Sequence, residues 1–203
     1  MNFGRARAFE VFVRVLLFIL TFALTGCAGL HQDGPPVITS NGVTIERVAL
    51  EARIHELVNQ ERQGRGLSAV DWNEAIRPIA RGHSTHMGRR NYFSHNAPNG
   101  ADFNDRYRRA RFGCQVPAGR NRYLLGGENL FMGHVVRSWT AYSDGSRVVT
   151  SRHDLESLAR AAVTGWMNSP AHRDNLLNRH WRTEAIGIEI TEDGRVYATQ
   201  NFC

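Results

Sequence analysis

Three short stretches carry titratable side chains in turn-forming surroundings: "YFSHNAPNG" around His95, "LLGGENLF" around Glu128 and "NSPAHRDNLL" around His172. Two imidazoles and a carboxylate are the groups of general acid–base chemistry. They are equally the ligands of an open divalent-metal site, in which three protein donors leave one position free for water or substrate. No spacing rule brings the three together, and each also fits a polar network that pins loops to one another. Ser94, beside His95, suggests a Ser-His-Glu hydrolase. Adjacent residues on an extended segment point to opposite sides, however, and the sequence has no GxSxG elbow, so that reading is discounted. His83 and His86 also have ligand chemistry, but packed or surface roles are commoner for isolated histidines.

The elements that must position these groups can be read from the pattern of apolar residues. In "GWMNSPAHRDNLL" (165–177), Pro170 stops one helix and Ser169-Pro170 starts the next, with Ser169 as N-cap and His172 in the first turn. The positive end of that short helix disfavours imidazolium, so His172 is expected to be neutral near pH 7. The helix before it, "DLESLARAAVTGWM", carries Leu155, Leu158, Ala159, Ala162 and Trp166 as one stripe behind an Asp154 or Ser151 cap. A first helix is predicted over Glu46–Arg62, with Leu50, Ile54, Leu57 and Val58 on one face. A second is predicted over Asn73–Arg89, with Ile76, Ile79, Ala80, His83 and Met87 near one stripe. "ADFNDRYRRARFG" predicts a third, with Phe103, Tyr107 and Ala110 inward, Gly113 as its stop and Arg106 in a buried salt bridge. Alternation in "AIGIEIT" and "RVYATQNF" about an "EDG" turn predicts a C-terminal hairpin. Helices with an antiparallel sheet in one chain of this size indicate an α+β domain.

Ahead of this domain, Arg5, Arg7 and Arg14 precede the apolar run "VLLFILTFAL", which ends in "LTGC". A basic start, a short apolar core and small residues before a cysteine read as a lipoprotein signal peptide over residues 1–26. "L-T-G-C" resembles a bacterial lipobox, which implies that Cys27 becomes the lipidated first residue. Residues 27–46 then read as lipidated cysteine and flexible tether, and 47–203 as one domain. The protein is accordingly expected to be exported and lipid-anchored in the cell envelope, with the bilayer as partner through the Cys27 acyl chains. By resemblance to Gram-negative lipoproteins, Ala28 rather than Asp after that cysteine implies the outer membrane. Two cysteines remain, Cys114 and Cys203, and in an exported chain they are expected to form a disulfide. Without Arg5, Arg7, Arg14 and Glu10 the excess of basic residues falls from six to four. No dense basic stripe with interleaved aromatics is present, which argues against a nucleic-acid partner. The densest cluster, "RYRRARF", reads as a solvated helix face.

The ordered set "LVNQERQGRGL", "FSHNAPNG", "GGENLF", "GWMNSPAHRDNLL" and "AIGIEI…YATQNF" resembles bacterial CAP domains, the SCP-like group of cysteine-rich secretory, venom-antigen and pathogenesis-related proteins. The resemblance covers about residues 47–203. It implies a three-layer α-β-α sandwich with a central antiparallel sheet and a cleft in which His95, Glu128 and His172 converge. Many eukaryotic relatives line that cleft with two Glu and two His, sometimes holding a divalent metal. Here Ser169, three residues after Trp166, stands where they carry the second Glu, so a zinc or other divalent ion would have three protein ligands at most. The implied function is a cleft that binds a small ligand, lipid or cell-wall-derived molecule, with a weakly held metal. The competing readings are a hydrolase of peptide or peptidoglycan acting through His95, Glu128 and His172, and an interaction module with a vestigial cleft. The "LTGC" motif yields the first test. Cys27→Ala is expected to abolish lipid labelling and membrane retention without unfolding the domain, and unchanged labelling and fractionation of that variant would refute the anchor.

Overall fold

In the computed structural model, which describes residues 37–38 and 44–203, fifteen elements follow one another. They are β1 (Val37–Ile38), β2 (Thr44–Ile45), α1 (Arg47–Gln63), β3 (Asp71–Trp72), α2 (Arg77–Arg90), α3 (Phe103–Arg109), β4 (Val116–Pro117), β5 (Tyr123–Leu124), β6 (Gly127–His134), β7 (Val136–Ala141), β8 (Arg147–Arg152), α4 (Leu155–Asn168), α5 (Pro170–Leu176), β9 (Thr183–Ile190) and β10 (Arg195–Phe202). The leader, Cys27 and most of the tether lie outside the described residues. Ile45, assigned to the tether from sequence, is buried and belongs to the core.

The C-terminal hairpin forms as its alternation requires and occupies the middle of the main sheet, whose strand order is β3-β9-β10-β6. β10 pairs antiparallel with both β9 and β6, while the two-residue β3 adds in parallel to β9, so the sheet is antiparallel at its centre and mixed at one edge. Successive residues of a strand face opposite sides, and each face collects its own helices. Ile186, Ile188, Val196 and Ala198 join the core that α1 and α4 contribute through Leu50, Ile54, Leu158 and Trp166. On the other side α2 lies against β9 and β10, with Met87 on Tyr197 and Ser84 donating to the carbonyl of Gly187 at 2.7 Å. This is the three-layer α-β-α sandwich. Gly187 makes the close approach of α2 possible, because a Cβ there would lie 2.0 Å from the Arg81 backbone nitrogen.

Two helix ends differ from the sequence expectation. α2 starts at Arg77 rather than Asn73, because the Asn73 side chain accepts from the Ala75 amide at 2.9 Å and holds residues 73–76 in a turn after β3. α3 ends through Arg111 in the left-handed region (φ 55°), not through Gly113, and Ala110 is exposed rather than inward. Asp154, not Ser151, caps α4, accepting from the Ser157 amide at 2.8 Å. The strands β6, β7 and β8 were not legible from periodicity.

Cys114 and Cys203 form the expected disulfide, tying the segment after α3 to the last residue of the chain across 89 positions. In the chain-entropy picture, closing so long a loop stabilises by about 4–5 kcal/mol. Replacing both cysteines by serine is therefore expected to lower the unfolding free energy by several kcal/mol. Denaturant titration of the oxidised wild type and the double variant checks this, and coincident transitions would refute it.

Candidate functional site

The site is organised by the first residues of β6. Gly126 adopts φ 118°, and a Cβ there would come within 2.8 Å of the Tyr107 ring, so only glycine lets the chain enter the strand this way. Two residues later the Glu128 side chain is 1% exposed. A carboxylate can be buried so deeply only if its oxygens are satisfied. Oε1 accepts from His95 Nδ1 at 2.9 Å; Oε2 accepts from Arg106 Nη2 at 2.6 Å and from Asn201 Nδ2 at 3.1 Å. Burial alone would raise the Glu128 pKa, but the hydrogen bond from His95 and the charge of Arg106 outweigh it and hold the pKa below its ordinary value. Glu128 is thus an ionised, fully engaged carboxylate.

These bonds fix the state of His95. A carboxylate oxygen accepts, so Nδ1 carries a proton on this half-exposed ring, and in the neutral imidazole Nε2 is then the acceptor. Arg106 also donates to the His95 carbonyl at 3.1 Å and to that of Ala101 at 3.3 Å, so one guanidinium holds both ends of the 95–101 loop. Beneath the loop, His83 is buried and donates from Nε2 to the Ser94 carbonyl at 3.0 Å. Burial pushes its pKa down to about 4. His83 and His86 are packed residues, as expected from sequence, with His86 Nδ1 2.6 Å from the Tyr92 hydroxyl. Ser94 Oγ accepts from the Asn96 amide at 3.1 Å, which leaves the serine in a local turn.

His172 arrives from the opposite face of the sheet. Asn129, next to Glu128 and therefore pointing the other way, donates from Nδ2 to the His172 carbonyl at 3.1 Å and to Gln200 Oε1 at 2.9 Å. Its Oδ1 accepts from Asn175 at 3.0 Å, and Gln200 in turn donates to Glu184 at 2.5 Å. The polar row reaches His55, 2.7 Å from Glu184, and through its Nε2 Asn59 at 3.3 Å. α5 begins at Ser169 and Pro170 as expected, although the Ser169 side chain makes no capping bond. The His172 pKa is lowered, first by burial and then by His95, which is the direction expected from the sequence. The two imidazoles meet with ring centroids 6.3 Å apart. Beside His95, Glu128 and Asn175 line an open cleft of about 430 Å³ that also takes in Asp102 and Phe103.

All three sequence-predicted site residues are therefore brought together, in unequal roles. His95 lines the cleft and the His172 ring approaches it, while both Glu128 oxygens are bonded to partners. Among the described residues no group of three His, Cys, Asp or Glu is placed to hold a metal ion. Arg106 forms the buried salt bridge expected of it. Asn129 and Asn201 were missed. Asn129 lies on a strand that periodicity does not reveal, and Asn201, on the legible C-terminal strand, meets Glu128 from 73 positions away.

A family model described as the cysteine-rich secretory protein family, CAP, matches residues 55–202. Two Bacillus subtilis proteins are each 30% identical: an uncharacterized membrane protein, YlbC, over 152 residues (75% of this chain, 34% of that protein), and an uncharacterized protein, YkwD, over 155 residues (76% and 47%). The chain thus spans less than half the length of either. Among solved structures, an extracellular SCP-domain protein from Bacillus anthracis superposes with TM-score 0.56 at 27% identity, covering 83% of this chain and 44% of that one. An outer surface protein from Borrelia burgdorferi has the same fold, with TM-score 0.52 at 16% identity over 73% of this chain and 87% of that one.

The buried histidine and glutamate set the response to acid. His83 titrates near 4 when folded and near 6.5 when unfolded, so as pH falls through 6.5 the unfolded chain takes up a proton that the folded chain refuses. Stability is expected to fall between pH 6.5 and 4, by up to about 3 kcal/mol from this group. Below 4.5 the loss continues as the Glu128 carboxylate, held low in the fold, is protonated in the unfolded chain. His83→Gln, which keeps a donor for the Ser94 carbonyl, should flatten the upper window and leave the lower one. Urea unfolding at a series of pH values checks this, and an equally steep fall in the variant would contradict it.

Proposed function

The chain belongs to the cysteine-rich secretory protein family, the CAP domains, and from that premise we propose that it is an exported, envelope-anchored binding protein whose His95–His172 cleft takes up a small cell-wall-derived or lipid-derived molecule. The family is of extracellular type. Among the described residues, no helix is long and apolar enough to cross a membrane. Lipid on Cys27 would supply the attachment, with the outer membrane as its site in a Gram-negative cell.

One observation carries the reading: Glu128 orients the half-exposed His95 ring, Nδ1–H toward the carboxylate, at a polar cleft, and the His172 ring, its pKa lowered, lies 6.3 Å from it between centroids. Imidazole acceptors suit hydroxyl and amide hydrogens of a glycan or short peptide. The hydrolase alternative has less support, since Ser94 is held away by Asn96 and Glu128 is too fully engaged to move a proton.

The same donor set fits a divalent cation such as zinc held weakly. His95 and His172 would be its protein ligands, and Glu128 would orient His95, as a carboxylate behind a ligating imidazole does. A bound ion there would supply Lewis acidity toward a ligand oxygen. With no third protein donor the domain is expected to fold without metal. Calorimetric titration of the protein with Zn²⁺ is expected to give weak binding that His95→Ala and His172→Ala abolish, and that Glu128→Gln weakens by roughly 10–100-fold. If wild type and variants bind alike, or none binds at millimolar zinc, the metal reading fails and the trio is a polar network that pins three loops. Wall-fragment binding that survives His95→Ala would likewise refute the cleft.

A further inference from the structure

A second groove, of about 460 Å³, runs between α2 and α3 and shares no lining residue with the His95 cleft. Its apolar surface comes from Pro78, Ile79, Ala97, Ala101 and Ala110, with the His86 ring beside them and the rings of His83 and His86 one helical turn apart on α2, His83 almost wholly buried. Gly82 lies beside those rings. A Cβ at Gly82 would meet nothing within 4 Å, so the groove is open there because that side chain is missing. Glycine is a poor choice inside a helix when alanine would fit, unless the space itself is used.

The polar lining has one sign. Arg106 and Arg109 line the groove and no Asp or Glu does. Arg109 is exposed and forms no ion pair among the described residues. The Arg106 guanidinium spends Nη1 and Nη2 on Ala101, His95 and Glu128, but its buried Nε–H has no acceptor. That Nε is buried, so Arg106 offers the groove its positive charge rather than this donor.

We propose that this α2–α3 groove is a second binding site, for a small molecule with a flat apolar body and a single anionic head directed to Arg109 and Arg106. The flat body lies over Gly82 against Ile79 and the His86 ring. The head is selected by charge, because nothing acidic in the lining repels it. The site does not depend on the His95–His172 reading, and either can fail alone.

2-Naphthoate and its uncharged analogue 2-naphthol are suitable probes for calorimetry on the full chain. Naphthoate is expected to bind at least tenfold more tightly than naphthol. Gly82→Leu fills the groove and is expected to abolish naphthoate binding, and Arg109→Gln to weaken it about fivefold or more. Any uptake by solubilising detergent is common to all the proteins and cancels in the comparison. His95→Ala should leave naphthoate binding unchanged. Equal binding of naphthoate and naphthol, equal naphthoate binding by wild type and Gly82→Leu, or no naphthoate binding at millimolar concentration would each overturn the proposal. Arg106 is left unaltered because it also holds Glu128, so its loss could disturb the fold.

Discussion

A single buried carboxylate sets the terms for much of this domain. Glu128 is ionised in an interior where an unpaired charge is untenable, and the chain meets that demand from three directions: His95 in a loop, Arg106 on α3 and Asn201 on β10. Each partner is thereby located to within a hydrogen bond. The 95–101 loop has little apolar anchoring of its own, and Arg106 closes it by binding the carbonyls at both ends. Removing one partner would leave the others with an uncompensated charge, which is why the set behaves as a unit rather than as separate bonds.

The alternation of a β-strand then turns one position into two. Glu128 and Asn129 are neighbours, so they point to opposite faces of β6. One reaches His95 and the other holds the backbone of His172, and because β6 is an edge strand the two faces communicate around it. Two histidines far apart in sequence meet at 6.3 Å without touching through a bond of their own. The polar row from Asn129 through Gln200 and Glu184 to His55 crosses the sheet and extends the same support to α1. At the other edge, Glu51 on α1 accepts from the Ile188 amide at 3.0 Å and from Arg81 on α2 at 2.6 Å, closing the sandwich around β9.

What the sequence disclosed follows from how local each signal is. The α4 stripe, the Ser169-Pro170 restart and the C-terminal alternation depend on residues within a turn or two, and all three elements formed. β6 did not announce itself, because "GENLFMGH" is buried on both faces at its start and so lacks a period of two. The end of α3 was misplaced since a non-glycine residue, Arg111, took the left-handed position that Gly113 was expected to fill. The trio His95, Glu128 and His172 was identifiable as chemistry, and the motif order carried the family. That both Glu128 oxygens are taken up by partners was not legible, because it depends on Arg106 and Asn201, which lie 22 and 73 positions away.

Arg106 connects these observations. Its Nη2 satisfies Glu128 and so indirectly fixes which nitrogen of His95 is free, while its unpaired Nε belongs to a guanidinium that also lines the α2–α3 groove. A planar fork of donors can serve two surfaces at once only because its geometry is rigid, which lysine could not reproduce.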